Sequence, residues 1–498
     1  MPGMTSITLD RPLTWQQVAA IGGGAELHLS PAAWQRIGDA RSIVDAIVEK
    51  RIRAYGVNTG VGGLANVIVD GPKQRALSRN IVMSHSVGVG AALGKTETRA
   101  IVAAAVNNYA HGRSGVRPVV AEQLLALLTH DCIPEVPALG SVGYLSHMAH
   151  IALVLIGEGF ATLQDERLSG GAALARIGRE PLVLEAKEGL SLVNGSPCVT
   201  GLAALALARA GNLVEWADVT AAMSFENLRG QLAAFDPISL ALRVSDGTQE
   251  TGQRLRALLN GSAIVEASAG RQTQDPLSLR AVPHVHGAVR DALLTIGATI
   301  DRELASVTDN PAVMGTSEAP QVYSEAHAVA PHIGLAMDTL GIAVAEVAAM
   351  AERRIDRLLN PMVSGLPPFL ATDTGATSGF MIAQYTAASL VALNRRLASP
   401  ASLDGGITSA LQEDHLSHAT PAALKAHDIL DNVENILAIE LLAGAQAYDL
   451  QQNDLARAPG TDSYYRMVRD VVSLYRDDRP LASDIAAARR LLTLLSAA

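Results

Sequence analysis

One tyrosine stands in a setting that suits proton transfer. Tyr55 opens the glycine-rich stretch YGVNTGVGG. A phenol has a pKa of about 10, so it becomes a useful base near neutral pH only where positive charge or hydrogen-bond donors stabilise the phenolate. The glycines predict a loop with a mobile backbone around the ring. Tyr55 is therefore a candidate base, and a packed tyrosine in a turn is the alternative.

Two further groups of residues could bind a small substrate. Arg280, in QTQDPLSLR, and Asn194, in LVNGSP, are of the types that hold a carboxylate, and arginine offers two parallel donors. Ser84 and His85, in NIVMSHSVGVG, and Glu413, in ALQEDHLSH, could together grip an imidazole-like ring through hydrogen bonds. Taken singly, each of these residues is unremarkable.

Metal and phosphate sites are poorly supported. His147 with His150, and His415 with His418, have a spacing that could ligate zinc, but neither pair follows H-E-x-x-H and no cysteine pair accompanies them. We expect hydrogen-bonded structural histidines and no metal. The stretch GVGAALGKT ends like a phosphate loop, but its glycines have the wrong spacing.

The candidates lie in motifs whose order and spacing resemble the aromatic amino-acid ammonia-lyases, over nearly the whole chain. The motifs are YGVNTG, NIVMSHSVGVG, GSVG followed by LSHMA, VNGSP, QDPLSLR, TDNP, SGFMIAQYTAA and QEDHLSH. The resemblance is strongest to the histidine branch, in which the Ser-His pair and the glutamate are associated with an imidazole substrate. It implies a mainly α fold and a homotetramer whose active sites are assembled from several subunits.

The chain departs from the family pattern at three places. Family members carry Ala-Ser-Gly after Gly-Ser-Val-Gly, and this tripeptide cyclises into methylidene-imidazolone, the electrophile that captures the substrate amine. Here Gly143 is followed directly by Tyr144. Leu277 replaces the tyrosine of the family's QDPYSLR-like motif, and Glu325 and Ala326 replace an asparagine and a phenylalanine.

These departures favour a substrate with its own leaving group. A trimethylammonium nitrogen has no lone pair with which to attack an electrophile, and it departs directly as neutral trimethylamine. We therefore predict β-elimination of trimethylamine from a trimethylated histidine betaine, by an enzyme without the prosthetic group or another cofactor. The sequence leaves open whether the ring carries sulfur.

Most candidates then take a role that the resemblance implies, whereas the roles of Glu325, Tyr323 and Tyr144 rest on position alone. The predicted roles are Tyr55 as base, Ser84, His85 and Glu413 as ring-binding groups, Asn194 and Arg280 as carboxylate-binding groups, Gln274 as a polar binding group by motif match, and Glu325 with Tyr323 or Tyr144 as partners of the cationic nitrogen.

Two rival interpretations stay open. The first is a histidine-type ammonia-lyase whose Ala-Ser-Gly loop is missing from the sequence through modification or editing. The second is a catalytically inactive paralogue that serves as a binding subunit.

The composition limits the class of protein. The 498 residues are 49% hydrophobic and 3% aromatic, with a formal net charge of −10 and no basic run. We therefore expect a small-molecule partner and neither nucleic acid nor membrane as a partner. Two cysteines and an N-terminus without a signal-peptide pattern favour a cytoplasmic protein.

Long apolar helices must position the candidate residues. Apolar residues recur at helical spacing over residues 202–223, 289–306, 333–359 and 379–397. These stretches are rich in alanine and apolar on more than one face, which predicts a bundle core or a subunit interface. We expect a loop-rich helical domain over residues 1–200 that carries the active-site loops, and a helical bundle with C-terminal helices over residues 201–498.

Overall fold

A computed structural model describes residues 6–403 and 405–494, except for the side chain of Pro72. Residues 1–5 of the N-terminal stretch, in which the sequence has no signal-peptide pattern, lie outside the described residues. Within them the chain forms twenty α-helices, nine short strands and four 3-10 turns. The predicted mainly α fold is confirmed.

The helices account for most of the chain. In chain order they are α1 Trp15–Gly22, α2 Pro31–Glu49, α3 Gly71–His85, α4 Lys95–Ala110, α5 Pro118–Thr129, α6 Ser146–Leu155, α7 Gly170–Arg176, α8 Glu188–Val193, α9 Pro197–Asn227, α10 Pro237–Ala241, α11 Asp246–Leu259, α12 Ala263–Ala267, α13 Leu277–Arg280, α14 Val282–Leu304, α15 Pro331–Leu359, α16 Pro361–Ser364, α17 Met381–Leu397, α18 Ala419–Asp449, α19 Pro459–Val471 and α20 Ala482–Leu491. The 3-10 turns are Gly62–Leu64, Leu232–Phe235, Pro368–Leu370 and Ser409–Leu411.

The strands form only small sheets. They are β1 Ser6–Leu9, β2 Glu26–Leu29, β3 Val89–Ala92, β4 Ile133–Pro134, β5 Pro137–Leu139, β6 Phe160–Leu163, β7 Glu166–Ser169, β8 Ala312–Gly315 and β9 Pro320–Tyr323. Strands β1 and β2 pair in parallel with Ser6 opposite Glu26, whereas β3–β5, β4–β6–β7 and β8–β9 are antiparallel.

The four predicted long helices are confirmed as α9, α14, α15 and α17, with ends that differ by a few residues from the predicted ones. Two apolar stretches, Glu188–Asn227 and Pro331–Leu359, are long enough to cross a membrane by composition alone. The apolar window of the first is entirely buried, and that of the second is 56% buried. Burial of this kind is typical of core helices.

The chain divides into two compact units. Unit 1 comprises Met1–Ala208, Ile296–Asp338 and Pro400–Leu424, and unit 2 comprises Arg209–Thr295, Thr339–Ser399 and Lys425–Ala498. Four of the divisions fall inside the long helices α9, α14, α15 and α18. The domain boundary near residue 200 stays a prediction.

The core of unit 1 anchors the Tyr55 loop. Helix α2 begins at the N-cap Ser30, whose Oγ accepts a hydrogen bond from Ala33 N at 3.1 Å. Apolar residues on its inner face pack with Ala54 and Val57, both buried. Because these two core residues flank Tyr55, the loop is fixed on both sides of the ring.

The pairing of β3 with β5 organises two other loops of unit 1. Helix α3 ends at His85 and β3 begins four residues later, while β5 ends directly before the turn at residues 140–145. Val89 lies opposite Leu139 in this pairing. The Ser84–His85 pair and the turn therefore lie at the same end of a two-stranded sheet.

Unit 2 has a separate aromatic and aliphatic core. Phe225 and Phe235 pack with ring centroids 4.7 Å apart, and Leu255 and Leu279 belong to the same buried cluster. Aromatic pairs at this separation add to the free energy gained by burial alone. Helices α11 and α13 are thereby joined in one core.

Candidate functional site

Tyr55 lies half-buried in a well-bonded loop of unit 1. Its hydroxyl oxygen accepts a hydrogen bond from Gly62 N at 2.9 Å. The loop backbone is tied by Asn58, whose side chain accepts from Ala54 N at 2.9 Å and donates to Ile52 O at 2.8 Å. These bonds differ from the mobile backbone expected from the glycines, because one buried asparagine satisfies the loop's own donors and acceptors.

Glu413 and Tyr144 meet beside this loop. The Tyr144 hydroxyl donates to Glu413 Oε2 at 2.6 Å. Tyr144 is buried, and burial raises its pKa, as do the hydrogen bond to Glu413 and that group's charge. The residue that follows the shortened motif thus places a neutral phenol on the predicted ring-binding carboxylate.

The environment of Tyr55 favours the protonated phenol. Burial raises the pKa of Tyr55, the Gly62 N–H lowers it in part, and the negative charge of Glu413 raises it further. A base role requires the opposite shift, so positive charge must come from a bound substrate or from elsewhere in the assembly. The assignment of Tyr55 as base stays a prediction.

The Ser84–His85 pair lies at the C-terminal end of α3. Ser84 Oγ is 3.1 Å from His85 Nδ1 and donates to Ile81 O at 3.3 Å. Burial lowers the pKa of His85, while the Ile81 carbonyl and the charge of Glu413 oppose this shift. A neutral imidazole with one donor and one acceptor suits a ring with the same pattern. Unit 1 therefore brings Tyr55, Tyr144, Glu413 and this pair into one neighbourhood.

The direct link from Gly143 to Tyr144 is made by a strained turn. Leu145 has φ +76° and ψ −80°, and Ser146 N donates to Tyr144 O at 3.2 Å. This is the geometry of a γ-turn with positive φ, a conformation that costs roughly 1–3 kcal/mol for a residue with a side chain. Ser141 supports the turn by donating its hydroxyl to Tyr144 O at 2.8 Å.

Packing leaves little space at this turn. Gly143 has φ +143°, and a Cβ there would come within 2.7 Å of Ser417 Oγ. Thr420 Oγ1 donates to Ser141 Oγ at 3.2 Å from the start of α18. The residues present do not fit the family's prosthetic group, because no Ala-Ser-Gly stands here and the buried Tyr144 follows Gly143 directly.

Asn310 joins two predicted binding residues. Asn194 Nδ2 donates to Asn310 O at 2.7 Å, and Glu325 N donates to Asn310 Oδ1 at 2.7 Å. The Glu325 side chain is exposed, and Tyr323 donates its hydroxyl to Gln321 Oε1 at 3.1 Å. The sequence analysis gives Asn310 no role, although this residue lies in the TDNP motif and could have been identified from it.

Gln274 and Arg280 belong to unit 2. Arg280 ends α13, and its Nε is buried without a hydrogen-bond partner among the described residues. Gln274 is exposed and precedes Asp275, which accepts from Gln231 N at 2.6 Å. Leu277, in place of the family's tyrosine, is exposed. The roles of Gln274 and Arg280 stay predictions.

The histidine pair of α6 has structural hydrogen bonds, as expected. His147 Nε2 bonds to Ala138 O at 2.8 Å, and His150 Nε2 accepts from Gly88 N at 3.0 Å. His418 differs, because its Nε2 is buried without a partner in the described part of the chain. In the same part, no group of three or more histidine, cysteine, aspartate or glutamate side chains could hold a metal ion.

Comparison with known proteins identifies the family. A family model described as aromatic amino acid lyase matches residues 13–470. The histidine ammonia-lyase of Anaeromyxobacter dehalogenans is 43% identical over 504 aligned positions, which cover 98% of this chain and 99% of that protein. The crystal structure of histidine ammonia-lyase from Trypanosoma cruzi is 36% identical with a TM-score of 0.91, and covers 98% of this chain and 93% of that one.

A structure with a different activity also matches. Ergothionase from Treponema denticola, described as an ergothioneine-degrading enzyme and bound to desmethyl-ergothioneine sulfonic acid, is 26% identical with a TM-score of 0.91 and covers 98% of each chain. The matches extend over nearly all of this chain. The protein belongs to the aromatic amino acid lyase family.

Proposed function

We propose that this protein is a carbon–nitrogen lyase that acts on a histidine-type substrate. The observation that carries the proposal is the cluster in which Tyr55, Tyr144 and the Ser84–His85 pair surround Glu413. Its donors and acceptors are complementary to an imidazole ring beside a proton-transfer group. The names of the histidine ammonia-lyases that are similar to this chain support the same substrate class.

The reaction is a β-elimination. Tyr55 removes a proton from the carbon next to the ring, the C–H electrons form a carbon–carbon double bond, and the C–N electrons leave with the amine. Tyr55 must lose its own proton first. A cationic substrate nitrogen near the ring would lower the raised pKa of this phenol, so binding of the substrate helps to create the base.

Ring binding uses groups that are already oriented. Tyr144 occupies Glu413 Oε2, which leaves Oε1 as an acceptor for a ring N–H. Ser84 and the neutral His85 supply the complementary donor and acceptor. Asn194 and Arg280 are proposed to bind the carboxylate, and Gln274 is proposed as a further polar binding group. Glu325 and Tyr323 are proposed to face the cationic nitrogen.

Ammonia is one candidate leaving group. The relatives named histidine ammonia-lyase are 43% and 36% identical to the chain, well above the 26% of the ergothionase. By similarity alone, ammonia release from histidine is therefore the better supported function. This candidate requires the Ala-Ser-Gly tripeptide in the mature protein, so it predicts a mass above that of the 498-residue sequence.

Trimethylamine is the second candidate, and the loop favours it. With Tyr144 directly after Gly143, the chain as written has no precursor of the electrophile. A betaine needs none, since its trimethylammonium group leaves as a neutral amine. An ergothionase-like activity, which converts ergothioneine to trimethylamine and thiolurocanate, follows for this candidate, and the match to the ergothionase structure supports it.

One experiment tests the proposal and separates the candidates. The purified protein is incubated with histidine, with ergothioneine and with its sulfur-free analogue hercynine, and the released amine is identified. Ammonia from histidine, inactivation by borohydride and a raised intact mass support the first candidate. Trimethylamine from a betaine at the mass of the sequence supports the second. Release of no amine from any of the three rejects the proposed function and leaves a binding subunit.

We also propose a homotetramer. Large apolar side chains on the long helices of unit 2 are exposed in the single chain, and they are Leu294, Ile342, Ile382 and Tyr385. Apolar surface of this kind commonly marks a subunit interface. Light scattering coupled to size-exclusion chromatography would give four times the mass of one chain, and a monomer would contradict the proposal.

A further inference from the structure

The turn that carries Glu413 also carries a second contact of the site. Residues 408–413, the Ser409 turn, are closed by hydrogen bonds from Thr408 N to Glu413 O at 2.9 Å and from Gln412 N to Ser409 O at 3.1 Å. Its last residue, Glu413, accepts the hydrogen bond of Tyr144. The position of the carboxylate therefore depends on the shape of the turn.

Ser409 reaches the Tyr55 loop from this turn. Its Oγ accepts a hydrogen bond from Gly63 N at 3.0 Å. The preceding Gly62 N donates to the Tyr55 hydroxyl at 2.9 Å. Gly62 has φ +55°, and a Cβ built there would overlap Ser409 Oγ. The two consecutive N–H groups therefore donate to different side chains, that of Gly62 to Tyr55 and that of Gly63 to Ser409.

The backbone of the Ser409 turn is strained. Ser409, Ala410 and Leu411 have φ values of 53°, 54° and 70°. Left-handed conformations cost roughly 1–2 kcal/mol for each residue that has a Cβ. Three in succession persist only where other contacts hold them. The hydrogen bond from Gly63 N and the Thr408–Glu413 bridge are two such contacts.

We propose that Ser409 is a positioning residue that fixes the Gly62 N–H against the Tyr55 hydroxyl. The inference rests on the proposed function for its catalytic consequence, although the contact itself does not. Glu413 ends the same turn, but it is held there by backbone hydrogen bonds to Thr408, so only the Tyr55 side of the site depends on the Ser409 hydroxyl. Loss of the Ser409 hydroxyl releases the Gly62–Gly63 segment and lets the donor turn away from Tyr55.

Hydrogen exchange tests the contact without any turnover. The full protein and its variants Ser409→Ala and Ser409→Gly are compared by exchange mass spectrometry of peptides that cover residues 55–69. Both variants remove the hydroxyl, and only the glycine also relieves the positive φ. Faster exchange of the Gly62–Gly63 amides in both is expected. Exchange at the wild-type rate in both variants overturns the inference.

Ser402→Ala is the matched control. Ser402 lies in the same segment of unit 1, and its Oγ is buried without a hydrogen-bond partner among the described residues. Removal of this hydroxyl should leave exchange over residues 55–69 unchanged. Equal acceleration in the control would show general loosening and would overturn the specific role of Ser409.

Turnover and ring binding separate positioning from general damage. Ser409→Ala should lower kcat about tenfold, in line with the cost of misplacing a proton-transfer group. The dissociation constant of imidazole, measured by calorimetry, should stay within about twofold, because the backbone hydrogen bonds between Thr408 and Glu413 hold the carboxylate without the Ser409 hydroxyl. Equal losses of imidazole affinity and kcat overturn the positioning role. If no substrate is turned over, the proposed function fails while the exchange experiment still decides the contact.

Discussion

Two clusters of ionisable groups in this protein each contain a carboxylate and a histidine, and they differ in what they leave unpaired. In unit 1, Glu413 bonds to the Tyr144 hydroxyl and has a second oxygen, and the His85 ring is 3.1 Å from Ser84 Oγ. In unit 2, Asp218 accepts from His286 Nδ1 at 2.7 Å and from Arg290 at 2.8 Å. The first cluster retains capacity for a ligand, whereas the second uses its carboxylate oxygens internally.

Burial accounts for this difference. Glu440 of unit 2 is fully buried and accepts from Arg354 Nε at 2.6 Å, from Thr220 Oγ1 and from Ser224 Oγ. An unpaired charge at a fully buried position would destabilise the folded state by several kcal/mol. The fully buried carboxylate of Glu440 is therefore found with a cationic partner. A half-buried carboxylate such as Glu413 keeps access to water and can exchange water for substrate.

The same contrast appears in the pKa shifts. Burial alone would raise the pKa of Asp218, but His286 and Arg290 lower it overall. At Tyr55 and Tyr144 burial and the negative charge of Glu413 act in the same direction, and both pKa values rise. A cluster of acids without a cation is suited to a cationic ligand.

The largest expected effect lies in unit 2. Arg354→Met leaves the buried Glu440 without its cation, so the free energy of unfolding should fall by about 3–5 kcal/mol. Urea denaturation followed by circular dichroism measures this change. The double variant Arg354→Met with Glu440→Leu should recover most of the loss. If the single variant loses less than about 1 kcal/mol of unfolding free energy, the Arg354–Glu440 pair is no stronger than a surface ion pair. The contrast with the Glu413 cluster of unit 1 would then not hold.

Tyr55→Phe should affect chemistry alone. Amine release should fall by about 10²- to 10⁴-fold, which is the usual contribution of a proton-transfer group. The variant loses only the hydrogen bond from Gly62, so its thermal unfolding temperature should change little. Its affinity for imidazole should stay the same as that of the wild type. Kinetics with the substrate identified above and calorimetry with imidazole provide the measurements. Unchanged turnover would end the base assignment.

Tyr144→Phe should have a smaller effect on stability that depends on pH. The variant loses the hydrogen bond to Glu413 and should be about 1–2 kcal/mol less stable at neutral pH. The pKa of Tyr144 is raised in the folded protein, so its stabilising contribution is present below its usual pKa of 10.0 and is lost as the pH rises above that value. The stability gap between wild type and variant should therefore narrow above about pH 10.

Tyr465→Phe is a control for this pH dependence. Its hydroxyl donates to Asp449 Oδ1 at 2.5 Å in unit 2, and its pKa is also raised by burial and by that carboxylate. The stability difference between wild type and Tyr465→Phe should likewise become smaller at alkaline pH. The affinity for imidazole should not change. A pH-independent gap for Tyr144→Phe would mean that its ionisation does not differ between folded and unfolded states.

The smallest effect tests the strain at the site. Ala410→Gly places glycine at φ 54°, where a Cβ is unfavourable, and should raise stability by up to about 1 kcal/mol. Thermal unfolding measures the shift. Ala348→Gly, inside the buried part of α15, is the opposite control and should destabilise by about 1 kcal/mol or more. Destabilisation by Ala410→Gly would show that the turn is not strained at this residue.

Local patterns predicted much of the fold. The long helices α9, α14, α15 and α17 were predicted from apolar spacing, because a buried helix repeats its pattern over many residues. Their ends were less certain, since caps and neighbouring contacts decide them. The nine short strands were not predicted, because segments of two to four residues carry too little periodicity.

Single residues of the site were predicted more readily than their partners. Tyr55, Ser84, His85 and Glu413 stand in recognisable motifs, and the structure brings them into one neighbourhood. The contact between Tyr144 and Glu413 joins residues 269 positions apart, and the contact between Gly63 and Ser409 joins residues 346 positions apart. No local pattern encodes such pairings.

The sequence by itself determined the family, the helical class and the types of chemical group that unit 1 offers to a substrate. It also determined that no Ala-Ser-Gly stands between Gly143 and Tyr144. Only the tertiary structure decided that Tyr144 donates to Glu413, that burial and Glu413 raise the pKa of Tyr55 and that Ser409 contacts its loop. The reason is physical, because motifs report residue type and spacing, whereas pKa and hydrogen-bond orientation depend on burial and on neighbours that folding alone brings together.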